Sequence, residues 1–253
     1  MTAPILVTGG TGTLGRHVVP RLRAAGHEVR VLTRHARPPE DGVTYVTGDL
    51  AAGTGAAAAV EGVTTVLHLA GDAKNNEAVT RHIATVASAA GVKHLVNISV
   101  TAAEHLPLGY FRSKLAAEEI LAASGVPWTN LRAAQFHDFV LNAFRPMGKL
   151  PVFPAPRAVR LQPVDARDVA DRLVELAGGA PDGHVRDLVG PREYTMADLA
   201  RGYLAARGKR RPLLPVPFPG AAGRAYRAGA NLSLDGADRG TRTWEEFLAE
   251  RPW

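Results

Sequence analysis

A chain of 253 residues with 46% hydrophobic content can bury one large core, or one domain with a smaller C-terminal lobe. It has no Cys, which excludes disulfides and thiolate metal sites and fits a reducing, cytoplasmic compartment. The formal charge of +6 favours an anionic partner, a small molecule or a nucleic acid.

The apolar pattern alternates between strand and helix along the first half. PILVTGG (4–10) is a short β-branched run ending in glycine and reads as a buried strand. Leu14, Val18, Val19, Leu22 and Ala25 recur at helical spacing over 13–25, with Gly26 as the stop. Strands are expected at 27–34, 44–49 and 64–71, then a helix at 75–90 closed by Gly91. A strand at 94–100, a helix at 109–124 closed by Gly125 and a strand at 127–135 follow. Strands separated by crossover helices predict a doubly wound α/β fold with a parallel Rossmann sheet over residues 1–135. Beyond it the pattern predicts a helix at 136–144, a strand at 158–164 and a helix at 166–178 after Asp165. A strand near 184–189 and a helix at 196–207, capped by Thr195 with Asp198 in its first turn, come next. RPLLPVPFPG (211–220) is too rich in proline for a central strand. Residues 136–253 are expected to form a small substrate-covering lobe, partly returning to the first domain. No apolar run nears the ~20 residues that cross a bilayer, and the early first strand leaves no leader to expect. The nine His show no close ligand pairing, so neither membrane nor metal is expected.

Residues 7–18, VTGGTGTLGRHV, set four glycines between the first strand and the first helix. Glycine inside regular structure costs roughly 0.5–1 kcal/mol relative to alanine, so a need for bare backbone is implied. Gly9, Gly12 and Gly15 fit G-x-x-G-x-x-G, a variant of the dinucleotide fingerprint: a tight turn, backbone approach to a pyrophosphate, and close helix–sheet packing. The helix N-terminus adds unpaired N–H groups and positive dipole. Thr8, Gly9, Gly10, Gly12, Thr13, Leu14 and Gly15 are the residues expected around that pyrophosphate. The second strand ends Leu32-Thr33-Arg34, with Arg37 nearby and no acid for the free ribose 2′-OH of NAD. A guanidinium pairs well with a 2′-phosphate. NADP(H) is therefore expected in preference to NAD(H), with Arg34 the discriminator unless it only points into solvent. Asp49 and Leu50 end the third strand, where Asp49 would accept from the adenine amino group or serve as a turn residue. Ala70 and Gly71 end the fourth, where small residues let a cofactor lie against backbone.

GYFRSKLAAEEIL (109–121) contains Tyr110-x-x-x-Lys114, and positions i and i+4 share a helix face. A free tyrosine titrates near pKa ~10; a neighbouring ammonium and an oxidised nicotinamide would lower that value. Lys114 could hold the nicotinamide ribose hydroxyls, or pair with Glu118 one turn on. Substrate contacts are expected from loops at the carboxyl ends of the strands: Asp72, Lys74, the 101–109 loop with Thr101 and His105, and Gln135, Phe136 and His137. On FHDFVLNAF, His137 reads as a packed or capping residue or as a ligand. Asp165 and Asp168 read as helix-start residues.

TGGTGTLG, VTGDL (46–50), HLAG (68–71), NISV (97–100), YFRSK (110–114), NLRAAQF (130–136) and QPVDARDVA (162–170) together resemble the short-chain dehydrogenase/reductase superfamily. The chain is most similar to its atypical, NmrA-like branch of NAD(P)H-binding proteins, over residues 4–178. The resemblance implies Tyr110 as general acid and Lys114 as the residue that orients the ribose and tunes Tyr110. It implies a helper hydroxyl from Ser99, or from Thr101. Val100 stands where many members have a second serine, and Ala133 where relatives often place a proline. Two functions follow: an NADPH-dependent oxidoreductase acting on a carbonyl, quinone or related electrophile, or a non-catalytic NADP(H)-sensing regulatory protein. The basic 207–212 segment is expected to be a solvated loop and not a nucleic-acid site, since no reading motif or aromatic interleaving accompanies it. The expected form is a monomer or homodimer with a small-molecule substrate.

Overall fold

The computed structural model describes residues 3–72, 74–232 and 235–253. The fold is α/β, with a large parallel sheet and flanking helices. In chain order the elements are β1 (Ile5–Thr8), α1 (Gly15–Ala24), β2 (Val29–Thr33), β3 (Val43–Thr47), α2 (Ala56–Val60), β4 (Thr65–His68), α3 (Asn76–Ala89), β5 (His94–Val100), α4 (Gly109–Ala122) and β6 (Trp128–Ala133). There follow α5 (His137–Met147), β7 (Phe153–Pro156), β8 (Arg160–Leu161), α6 (Ala166–Gly178), β9 (Gly183–His184), β10 (Leu188–Val189), β11 (Tyr194–Thr195), α7 (Met196–Ala206), β12 (Leu213–Val216), α8 (Gly220–Arg227), β13 (Asp238–Arg239) and α9 (Trp244–Ala249). Two units are assembled from these: the chain up to Ser99 with Arg112–Leu131 and Val169–Val185, and Val100–Phe111 with Arg132–Asp168 and Arg186–Trp253.

In the first unit the strands run β3-β2-β1-β4-β5-β6. Ile5 faces Val29 on one side and Thr65 on the other. Every residue of β1 is buried, as a strand covered on both faces requires, and this explains an unbroken apolar run in place of alternation. α1 buries Gly15, Val18, Val19 and Leu22, one helical stripe. On the sheet, Leu6, Leu32, Val66 and Leu95 meet Ala59, Val60, Ile83, Ala87 and Leu121 in one apolar cluster. The chain steps outward from β1 to β3, then crosses back to lay β4 on the other side of β1. The carboxyl ends of β1 and β4 thus flank the switch point where open α/β sheets bind ligands.

In the second unit β10 pairs in parallel with Ala133 and with β13. β8 pairs with β11 antiparallel, and β7 with β12 parallel. Its core is aromatic: Phe144, Phe153, Tyr203, Trp244 and Phe247 cluster, with Phe144 edge-on to Phe153 at 5.1 Å. Trp244 Nε1 donates to the Leu199 carbonyl at 3.1 Å, so the buried indole keeps a partner. Capping boxes start α7 (Thr195 with Asp198) and α9 (Thr243 with Glu246).

Two expectations are corrected here. The strand expected at 158–164 shrinks to β8, and the one near 184–189 is two short strands, β9 and β10. The proline-rich segment forms no central strand, as expected: its strand β12 lies in a two-stranded sheet. Each strand there has a free edge, which a residue without N–H tolerates.

Asp165, in front of α6, accepts from Arg167 Nε at 2.9 Å and Nη2 at 2.8 Å, and Arg167 also reaches Glu250. Burial works to raise the Asp165 pKa, but the Arg167 hydrogen bonds outweigh it and hold the carboxyl well below the usual range. A depressed carboxyl contributes stability that is present above its unfolded value and lost as pH falls below it. Asp165→Asn should lose about 1.5–3 kcal/mol at pH 7 in chemical denaturation, with the gap to wild type narrowing below about pH 4. A gap that does not change with pH would contradict this assignment.

Candidate functional site

β1 hands the chain to Gly9, whose φ is +69°, a conformation that side chains rarely adopt. A Cβ on Gly9 would lie 2.8 Å from Ala70 N, and one on Gly15 would lie 2.3 Å from Gly9 O. The turn is pressed against the end of β4 and against itself. Gly12 differs: its N–H donates to Gly9 O at 3.0 Å, and a Cβ there would meet only that oxygen, at 3.3 Å. Thr11, Gly12 and Thr13 form an exposed lip. α1 starts with no side-chain cap and no acid in its first turn. In its first turn the N–H groups of Arg16, His17 and Val18 already donate to the Gly12 and Leu14 carbonyls, so it is the exposed Thr11–Thr13 lip, backed by the positive dipole end of the helix, that makes a cradle fitting a diphosphate. Thr8, Gly10 and Leu14 hold this loop from below. Thr8 Oγ1 lies 2.7 Å from His68 Nδ1 and accepts from Ala70 N at 3.3 Å. Gly10 packs on Val31, and Leu14 is buried.

Arg34 is exposed just past β2, and among the described residues no hydrogen bond or ion pair engages it. Arg37 instead lies over the Tyr45 ring at 6.0 Å, while Tyr45 Oη donates to Glu40 at 2.7 Å. Asp49 acts within its own turn: its carboxylate accepts from Ala51 N at 2.9 Å, and its N–H donates to Thr54 Oγ1 at 3.1 Å. Leu50 is buried, and its carbonyl accepts from His82 Nδ1. Ala70 and Gly71 lie at the carboxyl end of β4, half-buried and exposed respectively. Asp72 accepts from Lys74 N at 2.8 Å and from Asn75 Nδ2 at 3.3 Å, so its carboxylate shapes the loop.

Lys114 is half-buried on α4, and its Nζ donates to the Ile98 carbonyl at 3.2 Å. Burial draws its pKa down to about 8, with Glu118 pulling the other way. His68 was not anticipated. It is fully buried between Thr8 and Thr80, and burial, helped by the Lys114 charge, lowers its pKa to about 3. It is neutral at physiological pH, which spares the site a second buried cation. A histidine inside an otherwise apolar strand was the only signal for it. Ser99 is buried too, and its Oγ has no partner among the described residues.

In the second unit Tyr110 stands in the first turn of α4, 39% exposed and edge-on to Phe111 at 5.5 Å. Burial raises its phenol above the ordinary value, the reverse of the expected lowering. Thr101 is buried, with its N–H on Ala133 O at 3.1 Å and its Oγ1 unpartnered among the described residues. The next residue, Ala102, has φ +61°, a strain of roughly 1–2 kcal/mol for a residue with a Cβ that fixes how the loop leaves β5. Gln135 Nε2 is buried without a partner among the described residues. Phe136 is the N-cap of α5, and His105 is exposed. His137 is fully buried against Trp244 and Phe247, ring centroids 5.6 and 5.1 Å away. Its Nδ1 is 3.7 Å from Asp165 Oδ2, the placement of a packed residue. Asp168 accepts from the N–H groups of Thr241 and Arg242.

The uncapped glycine turn at the switch point is the mark of a nucleotide-binding protein. The model of the NAD(P)H-binding family matches residues 9–178, and the chain belongs to that family. It is 30% identical over 271 residues to the (4-alkanoyl-5-oxo-2,5-dihydrofuran-3-yl)methyl phosphate reductase of Streptomyces griseus, covering 98% of this chain and 93% of that protein. It is 28% identical over 212 residues to the NAD(P)H azoreductase of Xenophilus azovorans, covering 81% of this chain and 74% of the relative. The NADPH complex of an NADPH-dependent quinone oxidoreductase from Escherichia coli superposes with a TM-score of 0.81 at 21% identity, covering 97% of this chain and 98% of that one. These relatives place the chain among NAD(P)H-dependent reductases. Among the described residues no helix is long and apolar enough to cross a membrane.

The two kinds of glycine should separate on substitution. Gly12→Ala should melt within a few degrees of wild type yet bind NADPH at least about tenfold more weakly, an energy of about 1.4 kcal/mol. Gly15→Ala should lose much of its thermal stability, because its methyl would overlap the Gly9 carbonyl. Wild-type NADPH affinity in Gly12→Ala would show that the lip does not face the cofactor.

Proposed function

We propose that the chain is an NADPH-dependent reductase of the atypical, NmrA-like short-chain dehydrogenase/reductase branch, acting in the cytoplasm on an electrophilic carbonyl, quinone or related acceptor. The observation that carries this reading is a tyrosine and a half-buried lysine one turn apart on α4, in a member of the NAD(P)H-binding family. The bound nicotinamide supplies the hydride.

The backbone of the glycine turn that leads into α1 holds the diphosphate, and Arg34, which no hydrogen bond or ion pair engages among the described residues, takes the 2′-phosphate, which favours NADP(H) over NAD(H). Lys114, held at the end of β5, binds the nicotinamide ribose. Tyr110 hands its proton to the substrate oxygen as the carbon is reduced. Burial holds the phenol in its protonated form at neutral pH, so it has a proton to give. Ser99 or Thr101 orients the substrate oxygen; both hydroxyls are buried and both lack another partner among the described residues, so the role is open to either.

The acceptor is anionic. The first unit holds equal numbers of basic and acidic residues, 12 Lys and Arg against 12 Asp and Glu, while the second holds 18 against 12. The whole +6 excess therefore lies on the unit that carries Tyr110. Such a field raises the encounter rate with anions, and the Streptomyces relative is named for a phosphate ester.

Two variants test the two halves of the reading. Tyr110→Phe should lower kcat by about 10²–10⁴-fold with the NADPH dissociation constant unchanged. Arg34→Ala should weaken NADPH by about ten- to a hundredfold, the worth of a charge-assisted hydrogen bond, and leave NADH unaffected. Unchanged turnover in Tyr110→Phe would move the acid elsewhere. Tight NADPH binding with no oxidation across a broad panel of anionic carbonyls and quinones would favour cofactor sensing over catalysis.

A further inference from the structure

α3 opens with Asn76, a polar side chain only 2% exposed. A buried amide is expected to be hydrogen-bonded. Asn76 Nδ2 donates to Ser113 Oγ on α4 at 3.0 Å. Its Oδ1 stands against Gly71, 2.4 Å from where a Cβ would be, and Gly71 itself has φ +134°. One side chain is thus wedged between the turn that leaves β4 and the helix that carries Lys114, the residue after Ser113. An apolar residue of the same size would fill this space without fixing a distance. An amide whose donor is directed at Ser113 and whose oxygen fills the space beside Gly71 sets how close the turn and the helix lie.

We propose that Asn76 is a positioning residue for Lys114. It locks the start of α4 to the Ala70–Gly71 turn, so that the Lys114 ammonium stays at the Ile98 carbonyl, 3.2 Å away, where the ribose hydroxyls would meet it. The inference rests on the proposed role of Lys114 in holding the nicotinamide ribose.

The test is NADPH binding, followed by the intensity and emission maximum of the bound reduced nicotinamide, with melting temperature recorded for each variant. Asn76→Ala and Ser113→Ala should each weaken NADPH about tenfold, within the range of couplings between contacting residues, and shift the emission maximum. Ser113→Thr, which keeps the hydroxyl, should restore both. In a Lys114→Met background, adding Asn76→Ala should change affinity less than twofold, because the residue it positions is gone. Wild-type binding in Asn76→Ala and Ser113→Ala, or a full tenfold loss added on top of Lys114→Met, would overturn the proposal and leave the role of Lys114 standing. Wild-type NADPH affinity and emission in Lys114→Met alone would remove the role of Lys114, and the proposal with it. If Asn76→Ala does not fold, Ser113→Ala and Ser113→Thr, each with and without Lys114→Met, give the same readouts.

Discussion

The backbone of the Gly9–Gly15 turn lies against the end of β4 with no space for a methyl group at either glycine. The working end of the first unit depends on that contact. It sets the start of α1, which no side chain caps, beside the switch point of the sheet. It also brings Thr8 to His68 and to the backbone of Ala70, so the two strands that flank the crevice are tied by hydrogen bonds as well as by the β1–β4 ladder. A side chain at Gly9 would push the turn off the end of β4, and one at Gly15 would push α1 off the Gly9–Gly10 backbone.

A second constraint is electrostatic. Lys114 is brought close enough to His68 for its charge to lower that imidazole further, and the two cannot both be cations in so little water. Burial decides the matter in favour of the lysine, since His68 is sealed between two threonine hydroxyls while Lys114 keeps a carbonyl partner. One ammonium near the end of β5 is what the proposed ribose-holding role of Lys114 requires. The cost is a lysine whose pKa falls to about 8, so its charge weakens in mildly alkaline solution.

Much of the first unit was legible in the sequence because its strands are short apolar runs with covered faces and its helices end at glycines. Gly26, Gly91 and Gly125 all adopt positive φ, the conformation for which a helix stop selects glycine. The glycine turn was legible for the same reason, since only bare backbone explains it. α2 escaped notice because AAAAV carries no amphipathic stripe, and β7 because Pro154 and Pro156 argue against any strand. α9 had a readable signal, Thr243 three residues before Glu246. Within the site, residue types and helix spacing brought out Tyr110 and Lys114, but not the direction of the Tyr110 shift, which depends on burial. Asn76 was invisible for a related reason: a lone asparagine after a turn reads as loop chemistry until its partners are known. The residues after 220 gave no periodicity, because their elements are short and held by tertiary aromatic packing.

Calorimetric titration of the protein with NADPH addresses the central claim, that the glycine turn leading into α1 grips a diphosphate. The account predicts saturable one-site binding of NADPH, with weaker heats for NADH. Absence of saturable heat with both coenzymes would contradict it.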